Sequence, residues 1–134
     1  MNGKHILVLA SLLGASGVAM GAYQAHGLEK MLSQRGVDPV DAQRRIENCE
    51  VAVRYQMYHA IALIGIGVGV ERLHRRLLAA TVSFLTLGVC AFSGGLYEIV
   101  FRGQATHFAI VPLGGLMLIV GWIFLGIAAL AKKD

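Results

Sequence analysis

The sequence predicts an all-α membrane protein: four transmembrane helices in an up-down bundle, with helix 2 extended by an amphipathic segment outside the bilayer. Three observations predict it. Hydrophobic residues make up 56% of the chain and charged residues 15%, with a mean hydropathy of +0.63, outside the range of ordinary soluble domains. The charges are confined between four uncharged runs, 5–28, 55–70, 77–97 and 103–131. The 134 residues accommodate four spans of about 20 residues each and leave almost nothing for a soluble module, so residues 1–134 form one domain.

The first span is expected at about 6–28. Lys4, the apolar run 6–13 and the small residues around 19–22 imitate a secretory signal. The uncharged run continues to Leu28, and the segment is read as a retained helix.

The second uncharged run covers only about 24 Å at 1.5 Å per residue, short of a hydrocarbon core of about 30 Å. Its extension lies upstream. Asp38-Pro39-Val40-Asp41 reads as an N-cap, a proline at the first helical position and an acid in the first turn. Ala42, Ile46, Cys49 and Val53 then form an apolar stripe, and Asp41/Arg45 and Glu50/Arg54 are acid-first pairs at i, i+4. This predicts an amphipathic extension at 39–50 leading into a span at about 51–72. Arg54 falls at the membrane boundary, where Glu50 and snorkelling reduce the cost of its charge.

The third span is expected at about 77–98, followed by the pair Glu98/Arg102 and a stop at Gly103. The fourth is expected at about 111–131, because Pro112 suits a first helical turn and would break a helix begun at His107.

Orientation rests on the distribution of lysine and arginine. Lys4, Arg72, Arg75, Arg76, Lys132 and Lys133 are packed into very short segments on one side, whereas Lys30, Arg35, Arg44, Arg45, Arg54 and Arg102 are mostly spread among acids on the other. Both termini are therefore placed in the cytoplasm.

That topology gathers the uncharged polar residues in the leaflet opposite the termini. His26, Tyr55, Gln56, His59, Ser93 and Tyr97 are the candidate ligand-binding residues, with His107 nearby. Tyr55 and His59 share a helix face at i, i+4, and Thr86, Cys90, Ser93 and Tyr97 form a second stripe facing them. Two such stripes build either a ligand site or an interhelical hydrogen-bonded layer, since polar side chains in lipid seek partners on neighbouring helices. Trp122 lies in the middle of the fourth span, so its indole N–H is expected to point inward to an acceptor.

Gly17/Gly21 and Gly65/Gly69 have GxxxG spacing, and Gly94, Gly95, Gly114 and Gly115 offer further points of close approach between helices. Cys49 and Cys90 lack CxxC spacing and read as small buried residues, with no thiolate metal site or redox dithiol. The net charge of +4 is not organised as a basic stripe with interleaved aromatics, so no nucleic-acid partner is expected.

The segments GAYQAHGL at 21–28, RYQMYHAIAL at 54–63, FSGGLY at 92–97, PLGG at 112–115 and GW at 121–122 together resemble the bacterial YgdD/YwdK family, a domain of unknown function (423). The resemblance covers nearly the whole chain. It implies a small bacterial inner-membrane protein of four helices, with mitochondrial relatives and no assigned activity. It carries the family pattern onto His26, Gly27, Tyr55, Gln56, His59, Ser93, Gly94, Tyr97, Pro112, Gly114, Gly115 and Trp122. Gly95 stands where the family often has serine.

The favoured functional reading is a non-catalytic protein, not an enzyme, that binds membrane lipids or a partner, either a second copy or another membrane protein. No cofactor is expected. One alternative is a metal, haem or quinone site using His26 and His59, although no HxxxH or HxxEH spacing supports it. The other is a passive pore or transporter as an oligomer. Proton-coupled transport would need a carboxylate within the membrane, and every Asp and Glu lies outside the uncharged runs.

Overall fold

A chain segment in lipid must satisfy its own backbone, and α-helices do so. In the computed structural model, which describes residues 2–132, they are α1 (Gly3–Gln34), α2 (Pro39–Val68), α3 (Arg75–Arg102) and α4 (Ile110–Leu130). All four are long and apolar enough to cross a membrane, and no strand occurs among the described residues. The chain is an all-α membrane protein. Lys133 lies outside the described residues.

α1 runs past the expected end at Leu28. Its continuation contains a π-helical turn at Gln24–Leu28 followed by α-helix to Gln34. The geometry supplies a reason. Ile6 and Leu32 are both buried, and their separation amounts to about 7.2 turns at 3.6 residues per turn. A π turn absorbs one extra residue, leaving about 6.9 turns, so Leu32 returns to the face of Ile6.

α2 begins as its sequence requires. The Asp38 side chain accepts from the amides of Val40 and Asp41, with Pro39 in the first turn. Asp41 receives Arg45 Nε at 2.8 Å and also pairs with Arg44. The hydrogen bonds from Arg45, and then from Arg44, hold the Asp41 carboxyl below the usual carboxylate range. Glu50 pairs with Arg54. At its other end α2 stops at Val68, and one 3-10 turn, Val70–Arg72, leads towards α3.

α3 ends at Gly103 in the left-handed region, φ 86°, where glycine carries no Cβ penalty. In α4, Pro112 is the third residue, inside the first turn where its missing N–H costs nothing.

The helices pack in chain order, α1 on α2, α2 on α3 and α3 on α4. Without a hydrophobic driving force in lipid, close van der Waals contact holds such seams together. The α3–α4 seam uses glycine at spacing seven on both helices. A Cβ on Gly88 would stand 2.7 Å from Leu118, one on Gly121 2.6 Å from Leu85, and one on Gly95 2.8 Å from both Ile110 and Val111. At Gly114 it would land on the Phe92 amide nitrogen.

On the α1–α2 seam, Gly17 admits the Met57 sulfur and Gly21 lies against Val53. The other expected close approaches are absent. Gly65 and Gly94 face open space, and Gly115 makes only ordinary contact with Phe92.

Two cores result. Towards the termini, Ile6, Leu63, Leu78, Leu85 and Leu118 join all four helices. At the opposite end, Leu28, Leu32, Cys49 and Val100 form a smaller core, flanked by Ala42, Ile46 and Val53 of the amphipathic stripe. Helices α1 to α3 are about 42–48 Å long against a hydrocarbon core of about 30 Å, so this second core caps the bundle at the membrane boundary.

Two arginines fasten the cap to the end of α3. Arg35 donates to the Phe101 carbonyl at 3.1 Å and Arg45 to the Val100 carbonyl at 3.5 Å, two acceptors that a helix terminus leaves without backbone partners. The Arg45 guanidinium lies over Gly103, where a Cβ would meet it at 2.5 Å.

Candidate functional site

Gln56 is the centre of the polar layer. It is buried on α2, and its Nε2 donates at 2.8 Å to both the Leu13 carbonyl and Ser16 Oγ of α1. Its Oε1 accepts from the Tyr97 hydroxyl of α3 at 2.8 Å. The amide orientation is forced, because a carbonyl can only accept. Ser16 in turn donates to Leu12 at 2.8 Å. One side chain thus ties three helices together.

The meeting of Gln56 and Tyr97 follows from side-chain direction. In a helix the Cα–Cβ bond leans towards the N-terminus. α2 and α3 are antiparallel, so Gln56 leans towards the cap, Tyr97 leans into the bilayer, and the two converge.

Ser93 is buried on α3 and donates to the Ala52 carbonyl of α2 at 2.9 Å. His59, also buried, has both ring nitrogens engaged: Nδ1 lies 2.7 Å from the Tyr55 carbonyl and Nε2 3.1 Å from Trp122 Nε1. Since the carbonyl only accepts and the indole only donates, the ring proton sits on Nδ1. The Trp122 N–H therefore finds an inward acceptor.

The other candidates separate from this layer. Tyr55 is 40% exposed, its ring 4.8 Å from Phe92 and stacked 6.2 Å from His59. It lies at the lipid-facing edge of the layer. His26 is exposed in the π turn and lines a shallow hollow with Lys30 and Ser33. His107 is exposed in the α3–α4 connection. In the second stripe, Cys90 is exposed and Thr86 keeps a buried hydroxyl without a partner, so only Ser93 and Tyr97 join the layer. Cys49 is buried as a small apolar residue, whereas Cys90 is not. Three or more His, Cys, Asp or Glu side chains placed to hold a metal ion do not occur among the described residues.

Sequence reasoning did not find Ser16, Leu13, Arg35 or the role of Glu98. Glu98 accepts from Arg102 at 3.0 Å, from the Thr106 amide at 3.0 Å and from the Thr106 hydroxyl, closing the α3–α4 connection. A carbonyl acceptor leaves no mark in a sequence, and a lone serine in an apolar helix has no periodic signal.

An apolar hollow of about 340 Å³ lies outside this layer, between α2 and α4 on the side of the termini. Gly65, Gly69 and Trp122 line it, with Arg72 at its end.

Comparison with known proteins agrees with this architecture. Residues 20–115 match the family model described as a protein of unknown function (DUF423). A UPF0382 membrane protein of Haemophilus influenzae is 31% identical over 134 residues, covering 100% of this chain and 99% of its own length. One from Staphylococcus haemolyticus is 36% identical over 130 residues, covering 91% and 92% of the two chains. The UPF0382 inner membrane protein YgdD of Escherichia coli K12 is 26% identical, covering 99% and 95%. No solved structure matches. With four membrane-spanning helices and full-length relatives that are themselves membrane proteins, the chain belongs to the DUF423 family.

Proposed function

We propose that this is a non-catalytic protein of the bacterial inner membrane which works by holding phospholipid on its outer surface, and that the polar layer is its internal brace. One observation carries this reading. The polar groups of Gln56, His59 and Ser93 are each engaged by a partner within the chain, so none of these three side chains is left aimed into a cavity. A binding or catalytic layer would keep a donor or acceptor in reserve. Here the layer instead joins α2 to each of the other helices.

The same bonds weigh against a metal, haem or quinone shared by His26 and His59. One ring is exposed in the π turn and the other has both nitrogens engaged. The surface left for recognition is apolar and faces lipid, which favours a lipid over a nucleic acid or a soluble substrate. Both termini lie in the cytoplasm in this reading, beside the short basic segments.

Purification in a mild detergent, followed by native mass spectrometry and lipid extraction, tests the reading. The expected result is a chain carrying retained phospholipid at a fixed stoichiometry. A folded chain that carries none, even when purified from lipid-rich membranes, would overturn it.

A further inference from the structure

We propose that the groove between α2 and α4 is a binding site for one anionic phospholipid, its acyl chain against Gly65 and Gly69 and its phosphate on Arg72. This rests on the lipid-binding reading above and adds the place and the headgroup class.

The groove exists because a glycine pair does not meet a helix. Gly65 and Gly69 have the spacing of a helix-contact motif, yet a Cβ on Gly65 would touch nothing within 4 Å. Ala62 extends this small-residue floor towards the bilayer centre, while Trp122 and Leu125 of α4 form a wall. The hollow, about 340 Å³, is open on its outer side.

Its position matches one leaflet. Trp122 lies about 18 Å along α4 from Ile110, near mid-bilayer, and Ala62 to Val68 spans about 9 Å of α2 before the 3-10 turn that carries Arg72. An acyl chain entering at Arg72 would therefore end beside the indole.

The charge at the mouth selects the headgroup. Arg72 is exposed at the end of the groove, with exposed Arg75 and Arg76 just beyond it and Glu71 as the acid in that turn. Arginine presents a planar fork of donors that matches phosphate oxygens. The Trp122 N–H is already committed to His59, which leaves the indole to the groove as an apolar surface.

Trp122 is the only tryptophan, which makes the test direct. The protein is reconstituted in bilayers containing either phosphatidylglycerol or phosphatidylcholine with brominated acyl chains, and quenching of its fluorescence is titrated against the unbrominated lipid of the other class. The expected result is an apparent affinity about fivefold higher for the anionic lipid, the factor contributed by one arginine near an anionic surface. Arg72→Gln should remove that preference, and Gly65→Leu, whose side chain enters open space, should reduce quenching by both lipids while far-UV circular dichroism is unchanged.

Equal quenching by both lipids in the unaltered protein would overturn the proposal. If lipid is nevertheless retained at fixed stoichiometry, the broader lipid-binding reading stands without this site. Disulfide capture of a Gly65→Cys dimer in a Cys90→Ala background, at high lipid-to-protein ratio, would overturn it in favour of a second copy as the occupant.

Discussion

At the scale of single residues, hydrogen bonds in lipid are worth less than intuition suggests, because the unfolded helix in the membrane also finds partners. An interhelical bond averages about 0.6 kcal/mol, so Gln56, which makes three, should contribute about 2 kcal/mol. Gln56→Leu is expected to lower reversible unfolding stability in bicelles by about that amount, and Ser93→Ala by about 0.6 kcal/mol. Thr81 should behave in the opposite way. It is fully buried and its hydroxyl has no partner, so Thr81→Val removes an uncompensated polar group and should leave stability unchanged or raise it by about 1 kcal/mol. Equal losses in all three variants would show that packing volume, not polar satisfaction, governs these positions. Which polar residues lie inside is partly legible in the sequence, because a helix face follows from spacing: Gln56, His59 and Ser93 of the two polar stripes are buried, whereas Tyr55 and Cys90 of the same stripes are exposed. The partners were not legible. Leu13 and Ala52 act through their carbonyls, and His26 stands ten residues, about 15 Å of helix, beyond Ser16, nearer the cap than the level of Gln56.

At the scale of elements, the sequence displays glycine but not what each glycine faces. Of the two GxxxG pairs, Gly17/Gly21 lies on the α1–α2 seam, whereas Gly65 faces the open groove. The tightest seam follows a spacing of seven, Gly88/Gly95 against Gly114/Gly121, a repeat that keeps one stripe in register over two turns of each helix. This division predicts opposite outcomes for one chemical change. Gly114→Ala places a methyl on the Phe92 backbone, which cannot yield as a flexible side chain would, and should destabilise by about 2–3 kcal/mol. Gly94→Ala meets open space and should gain about 0.5–1 kcal/mol from helix propensity alone. Both are read by the same unfolding measurement. Helix ends were legible wherever the side chain that makes them is local, as with Asp38-Pro39 and Gly103. The end of α1 was not, because residues 29–34 are polar enough to read as a loop and become helical through the long-range burial of Leu32 with Cys49 and Val100.

At the scale of the whole molecule, the two ends of the bundle differ in how their cations are engaged, and that difference bears on orientation. At the cap, Arg44 and Arg45 bind Asp41, Arg54 binds Glu50 and Arg102 binds Glu98, while Arg35 and Arg45 also cover the carbonyls ending α3. These arginines are parts of a folded cap. At the other end, Lys4, Arg72, Arg75, Arg76, Lys132 and Lys133 share the short segments flanking the spans with two acids, Glu71 and Asp134. Equal counts of basic residues leave orientation to their distribution, and in the structure four of the arginines at the cap end are bound in ion pairs. Retention of positive charge in the cytoplasm acts on short segments close to span ends, and only the terminal side presents its cations in that form. A carboxy-terminal fluorescent-protein fusion should therefore be bright and a carboxy-terminal alkaline phosphatase fusion inactive, since the phosphatase folds only after export. Replacing Arg72, Arg75 and Arg76 together by glutamine removes the basic connection between α2 and α3, and should give measurable phosphatase activity from a mixed population. Active phosphatase in the unaltered protein would reverse the orientation, and the arginine at the mouth of the groove would then face the outer leaflet of the same membrane.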